Sequence, residues 1–301
     1  MTTRTQHIAR VLAPVAVLGM MALAGCSAAA DAGSEAELGS EQRPVKLGVV
    51  GASDPYWDVY EKAVEAEGIH LEIEDFTEYT QPNPALSEGE LDINQFQHIQ
   101  YLADYNVSSG DDLQPIGATA IYPLSLFSDK YESAEEIPDG ETVIVPNDTT
   151  NQARGLLVLQ SAGLIELKDG GSSFSTTADV LDSSRVKVEA VDAAITATSL
   201  PDVAAAIINN DFVTKASIDP ESAIASDDPA DPTAAPYINI FAVKKADLGN
   251  EVLQKLVEIY QTNQDVLDGV QEVSGGTAVF ATNPAAELQD ALAEVEANIQ
   301  K

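Results

Sequence analysis

The segment VPNDTTNQARGLLVLQ, Val145 to Gln160, concentrates side chains whose types and spacing can do chemistry. A β-branched run ends at Pro146, and Asn, Asp and Thr then offer N-cap candidates for a helix. Asn151 and Arg154 lie three positions apart, so a helix beginning here places both on one face. Helical side chains lean toward the N-terminus, where unpaired backbone N–H groups and the helix dipole already favour an anion. A guanidinium there suits two-point capture of a carboxylate. A second reading stays open, in which Arg154 is solvated and pairs with a nearby acid such as Asp148.

The stretch DINQFQHIQYLADY gathers Phe96, His98 and Tyr101 beside Asn94. On a strand Phe96 and His98 share a face. Such a group either lines an apolar pocket with a polar handle or supplies ordinary core aromatics and a satisfied histidine. Tyr79 precedes a proline-rich turn in EYTQPNPAL, and IINNDF ends a strand on Asn209, Asn210 and Asp211. Amides at a strand end commonly form turns, yet they are also the groups that hold an ammonium or a carboxylate. The residues leave the roles of Tyr56, Trp57 and Asp211 unassigned.

Catalytic patterns are thin. The 3 histidines are His7, His70 and His98, and there is no GxSxG, Walker loop or HExxH. The expectation is a chain that is not an enzyme and carries no cofactor. Zinc or manganese capture would call for more imidazoles, so no metal site is expected. The acidic run DDPADP, Asp227 to Pro232, lacks the spaced oxygens of a calcium loop and reads as a solvated turn. With 49 acidic against 15 basic residues and a formal charge of −34, the surface repels nucleic acid and anionic headgroups.

The chain opens with Arg4, Arg10 and then the apolar run VLAPVAVLGMMALA. A positive start, a short apolar run and a small-residue boundary form a secretory signal over residues 1–25. The run is shorter than the roughly 20 residues of a membrane span and holds Pro14. The boundary Leu23 to Cys26, LAGC, resembles a bacterial lipobox, which implies cleavage before Cys26 and a diacylglyceryl group on its sulfur. Acyl chains contribute ~0.8 kcal/mol per buried methylene, so two or more anchor a protein firmly. Residues 26–44 lack aromatic and β-branched side chains and read as a lipidated, disordered tether spanning ~20–25 Å. The expected location is the extracytoplasmic face of the cell membrane, held by the lipid.

Positioning these groups falls to the remainder of the chain. PVKLGVV reads as a buried strand, YWDVYEKAVEAEG as a helix, IHLEIEDF as a strand, and the next thirty residues as helix, strand and helix. ETVIVP opens a second strand–helix series, with VKVEAVD, DVAAAIINND and PYINIFAVKK as later strands. EVLQKLVEIYQTNQDVLDGV reads as one amphipathic helix, and PAAELQDALAEVEANIQK as another. Strands alternating with helices predict α/β units on a parallel sheet.

Taken in order, QPNPALSEGELDINQFQHIQYL, PNDTTNQARGLLVLQSAGLIELKDG and IIN (Ile207 to Asn209) resemble blocks of the NlpA-type lipoproteins, methionine-binding components of ABC importers. The similarity runs from about Val45 to Lys245. It departs at Thr149, where that family usually has proline, and after Asn209 at Asn210-Asp211-Phe212, where a small or amide residue and a tyrosine are common. The resemblance implies a bilobed type II periplasmic-binding-protein fold, two α/β lobes joined by a two-crossover hinge. Lobe I would take 45–130 and 236–301, and lobe II 131–235. It further implies that Arg154 meets an amino-acid carboxylate and that Asn151 and Asn209 hold the ligand's backbone end. Tyr79, Phe96, His98 and Tyr101 would wall the side-chain pocket, where a thioether gains from sulfur–aromatic contact. The implied ligand is a small amino acid, foremost methionine, delivered to a membrane permease driven by a separate ATPase. Another amino acid, a short methionine-containing peptide, or a surface interaction lipoprotein with a degenerate pocket are the alternatives.

Overall fold

A computed structural model describes residues 36–301, of which Ala36–Lys301 form one compact unit. The signal segment 1–25 and Cys26 lie outside the described residues. Among the described residues no helix is long and apolar enough to cross a membrane.

Apolar runs and their stops set the elements in order: β1 (Val45–Val50), α1 (Pro55–Ala66), β2 (Leu71–Phe76), α2 (Pro82–Glu88), β3 (Ile93–His98), α3 (Ile99–Ser109), β4 (Leu113–Ala118), β5 (Ala120–Ile121) and β6 (Ser125–Phe127). Then come β7 (Thr142–Pro146), α4 (Thr149–Ser161), β8 (Lys187–Val191), α5 (Ala193–Ser199), β9 (Ala205–Ile208), α6 (Asn210–Val213) and β10 (Ala225–Ser226). The chain closes with β11 (Asn239–Lys244), α7 (Glu251–Thr262), α8 (Gln264–Val273), β12 (Val279–Phe280) and α9 (Ala285–Ile299). Prolines open α1 and α2, where a missing N–H costs nothing, and glycines at positive φ stop α2 and α3.

Two 5-stranded sheets result, ordered β2-β1-β3-β11-β4 and β10-β6-β9-β7-β8. The parallel sheet expected from the alternation is in fact mixed in both lobes. β11 runs antiparallel to β3 and β4, and β6 antiparallel to β9 and β10. The reason is connectivity: β6 and β11 are the first strands after each passage between sheets, so no crossover helix dictates their direction. Sheet membership changes between Ile121 and Ser125 and again between Ser226 and Asn239. The first passage therefore lies upstream of the 130/131 boundary read from the sequence.

Three further differences have local causes. Residues 37–43, expected within the disordered tether, form a turn closed by Gly39 N–H donating to the Arg43 carbonyl at 2.8 Å. Leu38 packs on the first core, and His70 N–H donates to the Gly39 carbonyl at 2.8 Å, so ordering begins before Val45. The helix expected over 251–270 is two helices, because Asn263 adopts extended backbone and its side chain caps α8 by accepting from Val266 N–H at 3.2 Å. β4 escaped the sequence reading because Pro115 and Gly117 interrupt LQPIGA. As an edge strand it tolerates the proline, and a bulge at Phe241/Ala242 of β11 absorbs the irregularity.

Tyr56 and Trp57 find their place here. With Tyr60, Phe241 and Tyr260 they build the aromatic part of the first core, under α1, and the Tyr60 hydroxyl donates to the Leu256 carbonyl at 2.9 Å. α7 lies so close on β4 that a Cβ at Gly117 would sit 2.1 Å from Val257 Cγ1. Gly117→Ala should accordingly lower the unfolding free energy by ~1–3 kcal/mol through overpacking. Urea denaturation measures this, and an unchanged midpoint would contradict the close approach.

Candidate functional site

β3 delivers the first wall. All six of its residues are buried, including Asn94, Gln95, Gln97 and His98. Buried amides need partners, and α2 supplies one. Asn83 Nδ2 donates to Gln97 Oε1 at 2.7 Å, while its Oδ1 accepts from Gln97 Nε2 at 2.6 Å and from Asn94 Nδ2 at 2.9 Å. This amide network fixes α2 on β3 and with it the end of the strand, where Phe96 and His98 stand. Tyr79, from the loop before α2, and Tyr101, from the first turn of α3, complete an aromatic box. The Tyr79–Phe96, Tyr79–Tyr101 and Phe96–Tyr101 centroids are 5.9, 6.0 and 5.8 Å apart.

His98 also N-caps α3, its Nδ1 accepting from Tyr101 N–H at 3.0 Å. Burial, and then the Arg154 charge, push its pKa down to about 3, so the ring is neutral. With Nδ1 accepting, the proton sits on Nε2, which donates to Asn151 Oδ1 at 3.2 Å. Asn151 in turn donates from Nδ2 to Asp148 Oδ1 at 3.1 Å. Asp148 thus spends its carboxylate on capping α4 rather than on Arg154.

α4 delivers the opposite wall. Asp148 accepts from Asn151 N–H at 2.9 Å, the N-cap that the sequence offered. Gly155 lets the helix lie against β9, since a Cβ there would stand 3.1 Å from Ile207 Cγ2. Arg154, 5% exposed, is held on several sides. Its Nε and Nη2 donate to Asp227 Oδ2 and Oδ1 at 2.6 and 3.1 Å, and Nη2 also donates to the Tyr122 carbonyl at 2.8 Å. Its Cζ lies 4.2 Å over the Tyr237 ring. Among the described residues no hydrogen bond uses Nη1.

β9 and α6 close the third side. Asn209 is 7% exposed, and its buried Oδ1 has no hydrogen-bond partner among the described residues. Two residues on, Asp211 Oδ2 accepts from the Tyr79 hydroxyl at 2.7 Å and Oδ1 from Asn210 Nδ2 at 2.7 Å. Burial, with Asp54 adding like charge, pushes the Asp211 pKa up to about 7, against the two hydrogen bonds that favour the ionised form.

The structure brings all seven residues singled out in the sequence, Tyr79, Phe96, His98, Tyr101, Asn151, Arg154 and Asn209, to the wall of one cavity. The same wall includes Tyr122, Asn210, Asp211 and Asn239. Sequence reasoning left Tyr122 and Asn239 unremarked because they acquire meaning only from the crossing segments. Asp227, read as part of a solvated turn, is the ion-pair partner of Arg154. No spacing links positions 73 residues apart, though a buried arginine demanded some partner. Among the described residues its lining thus combines a guanidinium N–H without a hydrogen bond, a neutral imidazole, one unpaired acceptor and aromatic rings, with no nucleophile–base pair.

The NlpA lipoprotein family profile matches residues 45–281. The D-methionine-binding lipoprotein MetQ of Salmonella typhi is 36% identical over 241 residues, covering 78% of this chain and 87% of the relative. A Staphylococcus aureus protein solved as a crystal structure superposes with a TM-score of 0.78 at 34% identity, over 83% of this chain and 99% of that one. A nutrient-binding protein from Burkholderia cenocepacia, solved bound to methionine, gives a TM-score of 0.73 at 34% identity, over 79% and 99% of the two chains.

The geometry makes Asp227 essential to the shape of this wall. Asp227→Ala should lower the unfolding free energy by about 1.5–3 kcal/mol, the worth of hydrogen bonds to a charged group. Denaturant titration of the ligand-free protein measures it, and a loss under about 0.5 kcal/mol would contradict the ion pair's role.

Proposed function

We infer the function from one premise, that this chain belongs to the NlpA lipoprotein family. It is a methionine-binding, substrate-binding lipoprotein of an ABC transporter and not an enzyme. The observation that carries the site assignment is the Arg154 guanidinium, buried, rigidly held by Asp227 and Tyr122, and with Nη1 turned to no protein group. In our reading the ligand's carboxylate takes Nη1, with Asn151 beside it. Asn209 meets the ligand's backbone end. Tyr79, Phe96 and Tyr101 enclose the thioether, where sulfur–aromatic contacts contribute ~0.3–1.5 kcal/mol each. His98 is a neutral wall that fixes Asn151.

The remainder of the cycle is proposed on the same footing. Cys26 carries the lipid that holds the protein on the extracytoplasmic face of the membrane. The closed, loaded form docks on a membrane permease powered by a separate ATPase, and nothing covalent happens to the ligand.

A thermal-shift series tests the ligand, using protein stripped by unfolding and refolding, against L-methionine, D-methionine, other amino acids and short peptides. Ligand at 100 times its Kd adds ~2.7 kcal/mol. For a chain of this size that raises the Tm by roughly 2–4 °C per kcal/mol. The shift should appear with methionine and vanish in Arg154→Ala, with Arg154→Lys as the variant that keeps the charge. No shift with any ligand would overturn the assignment and favour an interaction lipoprotein with a degenerate pocket.

A further inference from the structure

We propose that Asp211 is the counter-ion for the ligand's ammonium group and the residue that makes this site select a zwitterion over a simple carboxylate. The inference rests on the methionine-site reading above and adds a residue and a specificity to it.

Two observations at the same end of the cavity point to a cationic donor. Asn209, more than nine-tenths buried, lines the cavity and has an Oδ1 without a hydrogen-bond partner among the described residues. An acceptor desolvated in this way is costly until a donor reaches it. Asp211 lines the same wall, and each of its oxygens accepts one neutral donor, from Tyr79 or Asn210, which leaves lone pairs unused. Among the described residues no lysine, arginine or histidine bridges to it. A half-buried carboxylate with no cation beside it is an incomplete pair. Arg154 supplies the complementary charge from α4, so one cavity presents a cation and an anion to one ligand.

The surroundings sharpen the point. A second, small cavity that Asp211 also lines is walled by Asp54 and Tyr56 at the start of α1, Tyr122 of the first crossing, Asn210, and Ser274 after α8. Tyr79 faces Asp211 from the α2 side. Of these groups only Asp54 is an acid like Asp211. Burial and Asp75 push its own pKa up to about 6 against the pull of Lys215, so it repels Asp211 above that pH and loses its charge below it. Burial and Asp54 together keep the Asp211 proton on until about pH 7 in the absence of a cation. An ammonium reverses that balance, because it favours the ionised carboxylate. Affinity is then greatest above pH 7 and falls about tenfold per unit below it. Stability of the ligand-free fold moves oppositely. A carboxyl whose folded-state pKa is raised binds more protons folded than unfolded, so its contribution grows as pH falls from about 7 toward 4.

Calorimetric titration of the purified protein at pH 8, 7, 6 and 5 tests this, with L-methionine and with 4-(methylthio)butanoate, which lacks only the amino group. Wild-type affinity for methionine should fall ~100-fold from pH 8 to pH 5, and the deaminated analogue should not lose affinity over that range. Asp211→Asn should bind methionine about 30-fold or more weakly at pH 8, with a flat pH profile. Asp54→Asn, which removes only the repelling charge, should move the midpoint to lower pH, and this holds even if Asp211→Asn does not fold. A flat wild-type profile, an unmoved midpoint in Asp54→Asn, or full methionine affinity in Asp211→Asn overturns the role of Asp211. Failure of the wild type to bind methionine at every pH is a different result, which overturns the functional reading itself.

Discussion

One buried guanidinium organises the cleft. Arg154 reaches out from α4 in the second lobe and is gripped by both segments that pass between the sheets. Tyr122 of the first passage accepts from it, while Asp227 and Tyr237 of the second pair with it and lie beneath it. A charge buried to 5% exposure is tolerable only when paired and hydrogen-bonded, and these contacts meet that need while leaving Nη1 free. The same ion pair therefore ties together the segments that pass between the sheets and aims the group proposed to meet the ligand.

The second constraint is closure. β3 and the Tyr79 loop belong to the first lobe, α4 and α6 to the second, and they meet across the cavity through His98–Asn151 at 3.2 Å and Tyr79–Asp211 at 2.7 Å. The Tyr79 and Phe212 rings add a contact at 5.1 Å. In such a water-poor space polar interactions strengthen, so these contacts hold the two lobes together across the cavity. Neutral His98 suits this arrangement, because a charged imidazole would oppose Arg154. The neighbouring cluster of Asp54, Asp211 and Asn209 is the reverse case, rich in acceptors and short of cations.

Much of this was legible in the chain, for physical reasons. Asn151 and Arg154 could be placed together because helix spacing is local, and Phe96 with His98 because strand spacing is local. The resemblance to a known lipoprotein family supplied their common purpose. Asp227, Tyr122 and Tyr237 could not be read in this way, since their meaning depends on which segments cross between the sheets. The break at Asn263 was hidden because apolar periodicity continues across it while a single side-chain cap redirects the backbone. β4 was hidden by Pro115 and Gly117, tolerated only through its edge position and the packing of Val257. Asn83, Asn94 and Gln97, part of the most recognisable motif, brace α2 on β3, and Gln97 also lines the cavity.

The central claim is that Arg154 meets the ligand's carboxylate. A double-mutant cycle measures this most directly, with calorimetric titration of L-methionine and of methioninol, which replaces the carboxylate by an alcohol, against wild type and Arg154→Ala. The account predicts a coupling of ~1.5–7 kcal/mol, the range that double-mutant cycles give for close charge pairs. A coupling near zero, with methioninol and methionine affected equally by the substitution, would contradict it and leave Arg154 as a hinge residue only.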